Sequence, residues 1–433
     1  MKSILIYLML ISTCLFASQT KSWAQNPAAA APQTKPIVIK NATIHIGNGE
    51  VLQNAAIRFE NGLIVAIGAG IDESNAEVVD AANKHIYPGL ILPHTITGLT
   101  EIQAVRSTSD FSEVGMFKPN IRSLVAYNTD SEIIPTLRSN GVLILQTTPR
   151  NGIITGTSSI MEADGWNWED AALKADEGIH MNAVRFYGYN FFTGQMSKNE
   201  SHDISIQETE RFFQEALSYS KNTNISTKNL KFEAMKGLFD GTKRLYIYAD
   251  FAKEILESIQ LAKKYGVQKI VLVGGNDALL VADFLKENNI PIILERIHRL
   301  PIRNDEDVYL PYKLPALLKK EGLMVALAYD DFEPMGSRNL PFLAGTAAAY
   351  GLSKEEALMT ITANTAKILG IDDKVGTLEK GKHATLIVSE GDLLDMRTNQ
   401  ITHAFIRGKK LDLDDKQKRL YQIYKQKYAS QTK

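Results

Sequence analysis

Several stretches of this chain bring together residue types that can do chemistry. Glu295-Arg296-Ile297-His298-Arg299 follows a short apolar run and gathers a carboxylate, an imidazole and two guanidinium groups. The carboxylate and imidazole suit acid–base or metal work. Arg296 and Arg299 oppose a cation but can hold a carboxylate or phosphate on a ligand. Gly274-Gly275-Asn276-Asp277 precedes a helical stretch, where backbone N–H groups can receive an anion, and Asp277 is placed to cap that helix. It is neither G-x-G-x-x-G nor a Walker loop, which argues against a nucleotide. Gly152 to Ser159 is rich in hydroxyls but lacks G-x-S-x-G, so a serine nucleophile is not indicated. Asp164-Gly165-Trp166-Asn167-Trp168 is an aromatic loop that can line a cleft or pack into a core.

The elements that must position these groups fall into a simple order. Lys2, the apolar run Ile4 to Phe16 and Ser22-Trp23-Ala24 read as a secretory signal peptide over residues 1–24, too short to be a membrane span. The alternative is lipidation at Cys14. In either case the only cysteine leaves the mature chain or is acylated, which excludes a thiol nucleophile, a Cys-ligated metal and an internal disulfide. The expected location is therefore periplasmic or extracellular. Residues 25–36 are a small-residue linker. Short strands fill 37–88, with Asn61-Gly62 marking a hairpin. From 89 to 375 continuous apolar strands alternate with helices, the pattern of parallel strands covered on both faces. Strand texture returns over 376–412, and 413–433 reads as an amphipathic helical tail packed on the body. The predicted fold is α/β: a TIM-like (β/α)8 barrel with a composite β-sandwich built from both ends of the chain. With 48 Lys+Arg against 49 Asp+Glu, the chain lacks the basic surplus that nucleic-acid binding needs.

The framing segments resemble the amidohydrolase superfamily. Val79-Asp80-Ala81-Ala82-Asn83-Lys84-His85-Ile86-Tyr87-Pro88-Gly89-Leu90-Ile91 is similar to that family's "A-x-G-x-x-x-x-P-G-L-I-D". Gly351-Leu352-Ser353 with Glu355-Glu356-Ala357-Leu358 resembles "G-L-S-x-x-E-A-L", and Asn364 to Gly370 resembles "N-P-A-K-x-L-G". Val375 to Ala384 resembles "I-G-S-L-E-x-G-K-x-A-D". Together, and in this order, they point to the imidazolonepropionase-like branch. The resemblance implies hydrolysis of carbon–nitrogen bonds, non-peptide or dipeptide-type, by hydroxide on a divalent metal such as zinc.

The family's metal ligands are H-x-H at strand one, Lys or Glu at strand four, His at strands five and six, and Asp at strand eight. On this chain the overlay gives Leu92-Pro93-His94-Thr95-Ile96 at strand one, so His94 stands in the first histidine position and Ile96 in the second. Strand four aligns around Val184-Arg185-Phe186-Tyr187 and offers no lysine ligand; strand five ends near Tyr248, and strand six in Gly274-Gly275-Asn276. Asp330 matches the acidic residue of strand eight, with Asp331 as its alternative. His94 and Asp330 are thus the candidate catalytic and metal residues, an incomplete set for a zinc that normally keeps three protein ligands. A replacement set drawn from His94, His298, Glu295 and Asp330 is the alternative. Tyr248, Asn276, Asp277, Glu295, His298 and Asp331 are candidate ligand-binding residues at the barrel mouth. His45, His85, His180, His202, His383 and His403 are not read as ligands. Two functions follow: a divergent carbon–nitrogen hydrolase, or a catalytically silent barrel. The silent barrel would bind a small molecule or short peptide, or pair with an active homologous amidohydrolase subunit. An oligomer is expected in either case.

Overall fold

The computed structural model describes residues 29–190, 195–303, 305–329 and 334–429. Residues 1–24, read from the sequence as a leader and carrying Cys14, and the candidates Asp330 and Asp331 lie outside the described residues.

The first strands are β1 (Ile37–His45), β2 (Val51–Glu60), β3 (Leu63–Gly68), β4 (Glu77–Asp80) and β5 (His85–Pro88). Asn61 and Gly62 both adopt positive φ, 51° and 79°, as the turn between β2 and β3 requires. The barrel strands are β6 (Leu90–Thr95), β7 (Val142–Thr147), β8 (Ile154–Glu162) and β9 (Ala172–Asn182). A hairpin, β10 (Tyr187–Asn190) with β11 (Gln195–Lys198), interrupts them. The barrel resumes with β12 (Arg244–Ala249), β13 (Ile270–Gly274), β14 (Ile292–Leu294) and β15 (Val325–Leu327). Finally β16 (Leu386–Ser389), β17 (Ile401–Ile406) and β18 (Lys409–Lys410) return to the first sheet.

The sandwich sheet runs β18-β17-β16-β5-β1-β2-β3, with β4 also paired to β1, so the two ends of the chain meet at the β5–β16 pairing. Its core holds Ile39, Ile57, Phe59, Ile86, Leu386 and Phe405. The second sheet runs β15-β14-β13-β12-β9-β8-β7-β6. It departs from an all-parallel barrel at one place: β8 is antiparallel to both β7 and β9. The remaining neighbours in it are parallel. Thr360 and Ile361 close the gap between the outermost strands, accepting from Leu327 N at 3.0 Å and Ile91 N at 2.9 Å. Inside the barrel Ile91, Ile144, Ile160, Val271 and Ile293 pack on Ile368 and Leu369 of the helix Ala363–Leu369, which plugs the floor. A second apolar layer joins the strands' outer faces to the helices around them.

Two differences from the sequence expectation concern the ends. The described part of the linker is tied to the body, with Ala30 N donating to Asp164 at 3.1 Å and the Gln33 amide donating to Phe59 O at 3.0 Å. The tail helix Lys416–Ala429 buries none of its side chains; its first turn holds the body through Gln417–Thr136 and Arg419–Glu132. Its apolar residues are spaced for a face, but three tyrosines and a run of lysines let that face tolerate water.

Candidate functional site

The C-terminal ends of the barrel strands converge on a narrow pocket whose lining includes His94, Arg150, His180, Asn182, Tyr246 and Tyr248. Parallel strands aim their last side chains here, where barrel enzymes place their chemistry.

A buried carboxylate organises the layer beneath the pocket. Glu177 of β9 accepts from Gln146 Nε2 at 2.6 Å, Ser158 Oγ at 2.8 Å and the Tyr246 hydroxyl at 2.9 Å. Burial pushes its pKa up, and those three hydrogen bonds oppose the push. Buried charge is tolerated only when its lone pairs are satisfied this way. His180 sits on the network through Nε2, 2.9 Å from Ser158 Oγ, and stacks on Tyr246 with centroids 4.6 Å apart.

His94 stands above, at the end of β6, in the left-handed region at φ 55°. A non-glycine residue pays on the order of 1–3 kcal/mol for that conformation, and it persists where neighbours over-determine it. Here Gln146 Oε1 receives the His94 backbone N–H at 2.9 Å, and Arg150 Nη2 donates to the His94 carbonyl at 3.1 Å. Arg150 Nη1 also closes on His94 Nε2. Burial, with the Arg150 charge behind it, holds the His94 ring well below the ordinary histidine range, so the ring is neutral and offers a lone pair. His180 is held down by burial, then by His94 and Arg150.

Glu295, just past β14, completes the mouth. Its Oε1 lies 3.3 Å from His94 Nε2, and its Oε2 accepts the Tyr248 hydroxyl at 3.1 Å. That carboxylate, followed by burial, drives the Tyr248 hydroxyl far above the normal tyrosine range. Asp250, one residue past β12, is raised to about 6 by burial and then by Glu295.

The sequence candidates therefore divide. His94, Tyr248 and Glu295 meet in one place. Asn276 stands beside Asp250, whose Oδ1 accepts its N–H at 3.4 Å. Asp277 is occupied elsewhere: Oδ1 pairs with Arg303 at 2.6 Å and Oδ2 accepts from Ala252 N at 3.1 Å. It thus serves the start of the helix Ala252–Lys264 and makes no side-chain cap to the one after it, as the sequence had implied. His298 bonds Thr346 Oγ1 at 2.6 Å and meets the Tyr312 ring edge-on, on the side of the helix Leu340–Ala349. Arg296 lies over Tyr329 and Arg299 pairs with Glu306 at 3.0 Å. Strand four is β9, not the stretch around Val184-Tyr187, so His180, Glu177 and also Arg150 are site residues that the sequence reading passed over.

A family model described as Amidohydrolase family matches residues 181–411, more than half of the chain. The chain belongs to the amidohydrolase family. Its relatives include an imidazolonepropionase from Picrophilus torridus, 24% identical over 391 residues, spanning 82% of this chain and 92% of that protein. A 5'-deoxyadenosine deaminase from Methanobrevibacter smithii is 23% identical over 367 residues, spanning 79% and 81%. The crystal structure of an amidohydrolase from Thermotoga maritima MSB8 superposes with a TM-score of 0.77 at 24% identity, covering 87% of this chain and 99% of that one.

Amidohydrolase-family proteins are generally metal-dependent, so the donors here must be tested against a cation. Among the described residues no three His, Cys, Asp or Glu side chains are placed to hold one. His94 Nε2 faces a guanidinium, His180 Nε2 faces a hydroxyl, and β12 presents a tyrosine hydroxyl already donated to Glu295. β13 ends in Gly274, at φ 89°, where a side chain would collide with Asp250. These donors do not fit a catalytic metal ion.

Proposed function

We propose that this amidohydrolase-family barrel binds a small amide- or imide-type ligand at its mouth and does not hydrolyse it through a metal-bound hydroxide. The observation that carries this reading is the pair of strand ends Tyr248 and Gly274, which supply a committed hydroxyl and a bare backbone where a catalytic cation needs nitrogen or oxygen donors. The ligand class comes from the relatives, whose names describe work on carbon–nitrogen bonds. Polar His94, Asn182 and Tyr248 line the pocket beside apolar Val273 and Met181, the mixture small-ligand pockets use. A ligand-binding barrel of this kind fits a partner subunit for an active homologue, and a leader over residues 1–24 would carry that work outside the cytoplasm.

A second reading is favoured by one observation. Asp250 is raised to about 6 by burial and then by Glu295, which brings its proton exchange toward neutral pH, where a metal-free hydrolase would use it as acid or base. The test is a panel of cyclic amides, N-acyl amino acids and dipeptides. Thermal shift reads binding, and proton NMR reads turnover with zinc, with manganese and with chelator. Binding without turnover supports the first reading. Turnover that survives chelator and is lost in Asp250→Asn establishes the second. Turnover that needs added metal removes both.

A further inference from the structure

Two distant parts of the chain meet at one short helix, Ile133–Arg138. Arg138 pairs with the buried Asp164 at 3.4 Å, and Asp164 receives the Ala30 N–H at 3.1 Å. Glu132, Thr136 and Ser139, on that helix and at its two ends, hold the start of the tail through Arg419 at 3.5 Å, Gln417 at 3.0 Å and Asp415 at 2.6 Å. Past that grip the helix Lys416–Ala429 is exposed from Leu420 onward. Leu420, Tyr424 and Tyr428 share one face, with Tyr421 and Ile423 on its flanks, yet Leu420 and Ile423 are 43% and 55% exposed. The helix carries Lys416, Lys418, Arg419, Lys425 and Lys427 and no carboxylate. Lys425 lies over Tyr421, and Lys427 over Tyr424 and Tyr428, each ammonium 5.7–6.0 Å from the ring centroid. A helix of this length is marginal in water by itself, and this one has no buried face to hold it.

Trp166, from the aromatic loop, belongs to the same region. It stands two residues past Asp164, its carbonyl accepts from Thr129 Oγ1 at 3.4 Å, and it is 69% exposed. The helix Ile133–Arg138 leads into the start of β7, and Asp164 follows the end of β8, antiparallel to β7. This region is therefore at the floor end of the barrel, away from the pocket.

We propose that the tail helix and Trp166 form a docking surface for an anionic phospholipid membrane. Charge complementarity selects the occupant. A helix with five cations and no carboxylate suits a negatively charged surface, whereas a second copy of the helix would bring like charge against like. Tyrosine and tryptophan, apolar with a polar tip, settle at headgroup level, and lysine stems laid along rings keep their ammonium groups toward phosphate. Ala30 is tied beside the same short helix, so the apolar leader expected before it joins the body on this side. Docking by the floor end leaves the barrel mouth facing water. The proposal is independent of the chemistry at that mouth.

Vesicle flotation with the chain from Gln25 onward, which lacks the apolar leader, tests this. The chain should float with vesicles of roughly 30% phosphatidylglycerol in phosphatidylcholine, and at least about tenfold less with phosphatidylcholine alone or in about 0.5 M salt. Lys425→Glu with Lys427→Glu should cut binding to the anionic vesicles by at least about tenfold. Leu420→Ser with Ile423→Ser should cut it by about tenfold even at low salt. The tail helix buries none of its side chains, so both variants should keep the parent's melting temperature. Fluorescence reads the geometry. Beyond the leader the tryptophans are Trp166 and Trp168, and anionic vesicles should shift the emission to the blue in the parent but not in Trp166→Phe. The proposal is overturned by a parent that stays unbound with anionic vesicles, or that binds neutral vesicles equally well. It is equally overturned if both double variants bind like the parent, or if binding leaves the Trp166 emission unmoved. Dimerisation that depends on the tail, seen by sedimentation velocity without vesicle binding, overturns it in favour of a second copy.

Discussion

Two histidine pairs in this molecule stack alike and do different work. His94 and His180 lie 5.5 Å apart in the barrel, and His45 and His85 lie 5.3 Å apart in the sandwich. Each pair has a carboxylate at one ring, Glu295 at 3.3 Å and Glu355 at 2.6 Å, and each leans on a tyrosine. In the sandwich the nitrogens face inward to the pair. Glu355 fixes the His45 Nδ1 proton, so His45 Nε2 receives His85 Nδ1 at 3.1 Å. That chain is a strut joining β1, β5 and the helix Lys354–Met359. In the barrel neither ring bonds the other: Arg150 Nη1 reaches both nitrogens of His94, His180 Nε2 meets Ser158, and both rings are buried. Residue type and stacking alone do not make a site. What matters is where the lone pairs point and whether a charge answers them.

The largest test of this contrast lies under the barrel pair. Glu177→Ala strands three buried donors and should cost about 3–5 kcal/mol in chemical denaturation, with Glu177→Gln losing less than half of that. Next, His180→Ala should cost about 2–4 kcal/mol, because it opens a buried void and unpairs Ser158, whereas the half-buried His85→Ala should cost about 1 kcal/mol. Equal losses would break the comparison.

The third test is acid. Both barrel rings have folded pKa values well below the unfolded value, so below pH about 6.5 the unfolded chain takes protons that the folded chain refuses. Stability should fall by about 1.4 kcal/mol per pH unit for each ring, and His180→Asn should remove one such share of the slope. His85 is also lowered by burial, but its ring is half exposed, so His85→Asn should remove less. Asp250 acts in the opposite sense. Raised to about 6, it binds a proton in the folded state that the unfolded chain releases until about pH 4, which offsets part of the acid loss. Asp250→Asn should therefore steepen the slope. Smallest of all, Glu355→Gln should cost about 1 kcal/mol, since the strut keeps its hydrogen bond and loses only its charge.

Much of the architecture was legible because apolar runs and turn residues are local. The β2–β3 turn at Asn61-Gly62, the capping box at Ser353 and Glu356, and the return of the chain to the first sheet all follow from short patterns. β9 was misplaced because its inward face is polar. Leu173-Lys174-Ala175-Asp176-Glu177-Gly178 does not read as a buried strand until Glu177 is seen paired with Gln146, Ser158 and Tyr246. A signal was present: Ile179 and Met181 alternate with Gly178, His180 and Asn182, the period of a strand with one wet face. β8 was hidden likewise, its Thr-Ser run resembling a loop. Nothing in the sequence could link Arg150 to His94, 56 positions apart and joined only once β6 and β7 pair.

The β5–β16 pairing has a consequence in time. β5 ends at Pro88 and its partner begins at Leu386, so the centre of the first sheet cannot close until nearly the whole chain has been made. Until then β5 keeps an open edge, and contacts this distant in sequence form slowly. During synthesis the unfinished sheet is thus the segment most exposed to wrong partners, and a chaperone that covers an open strand edge would have its target here.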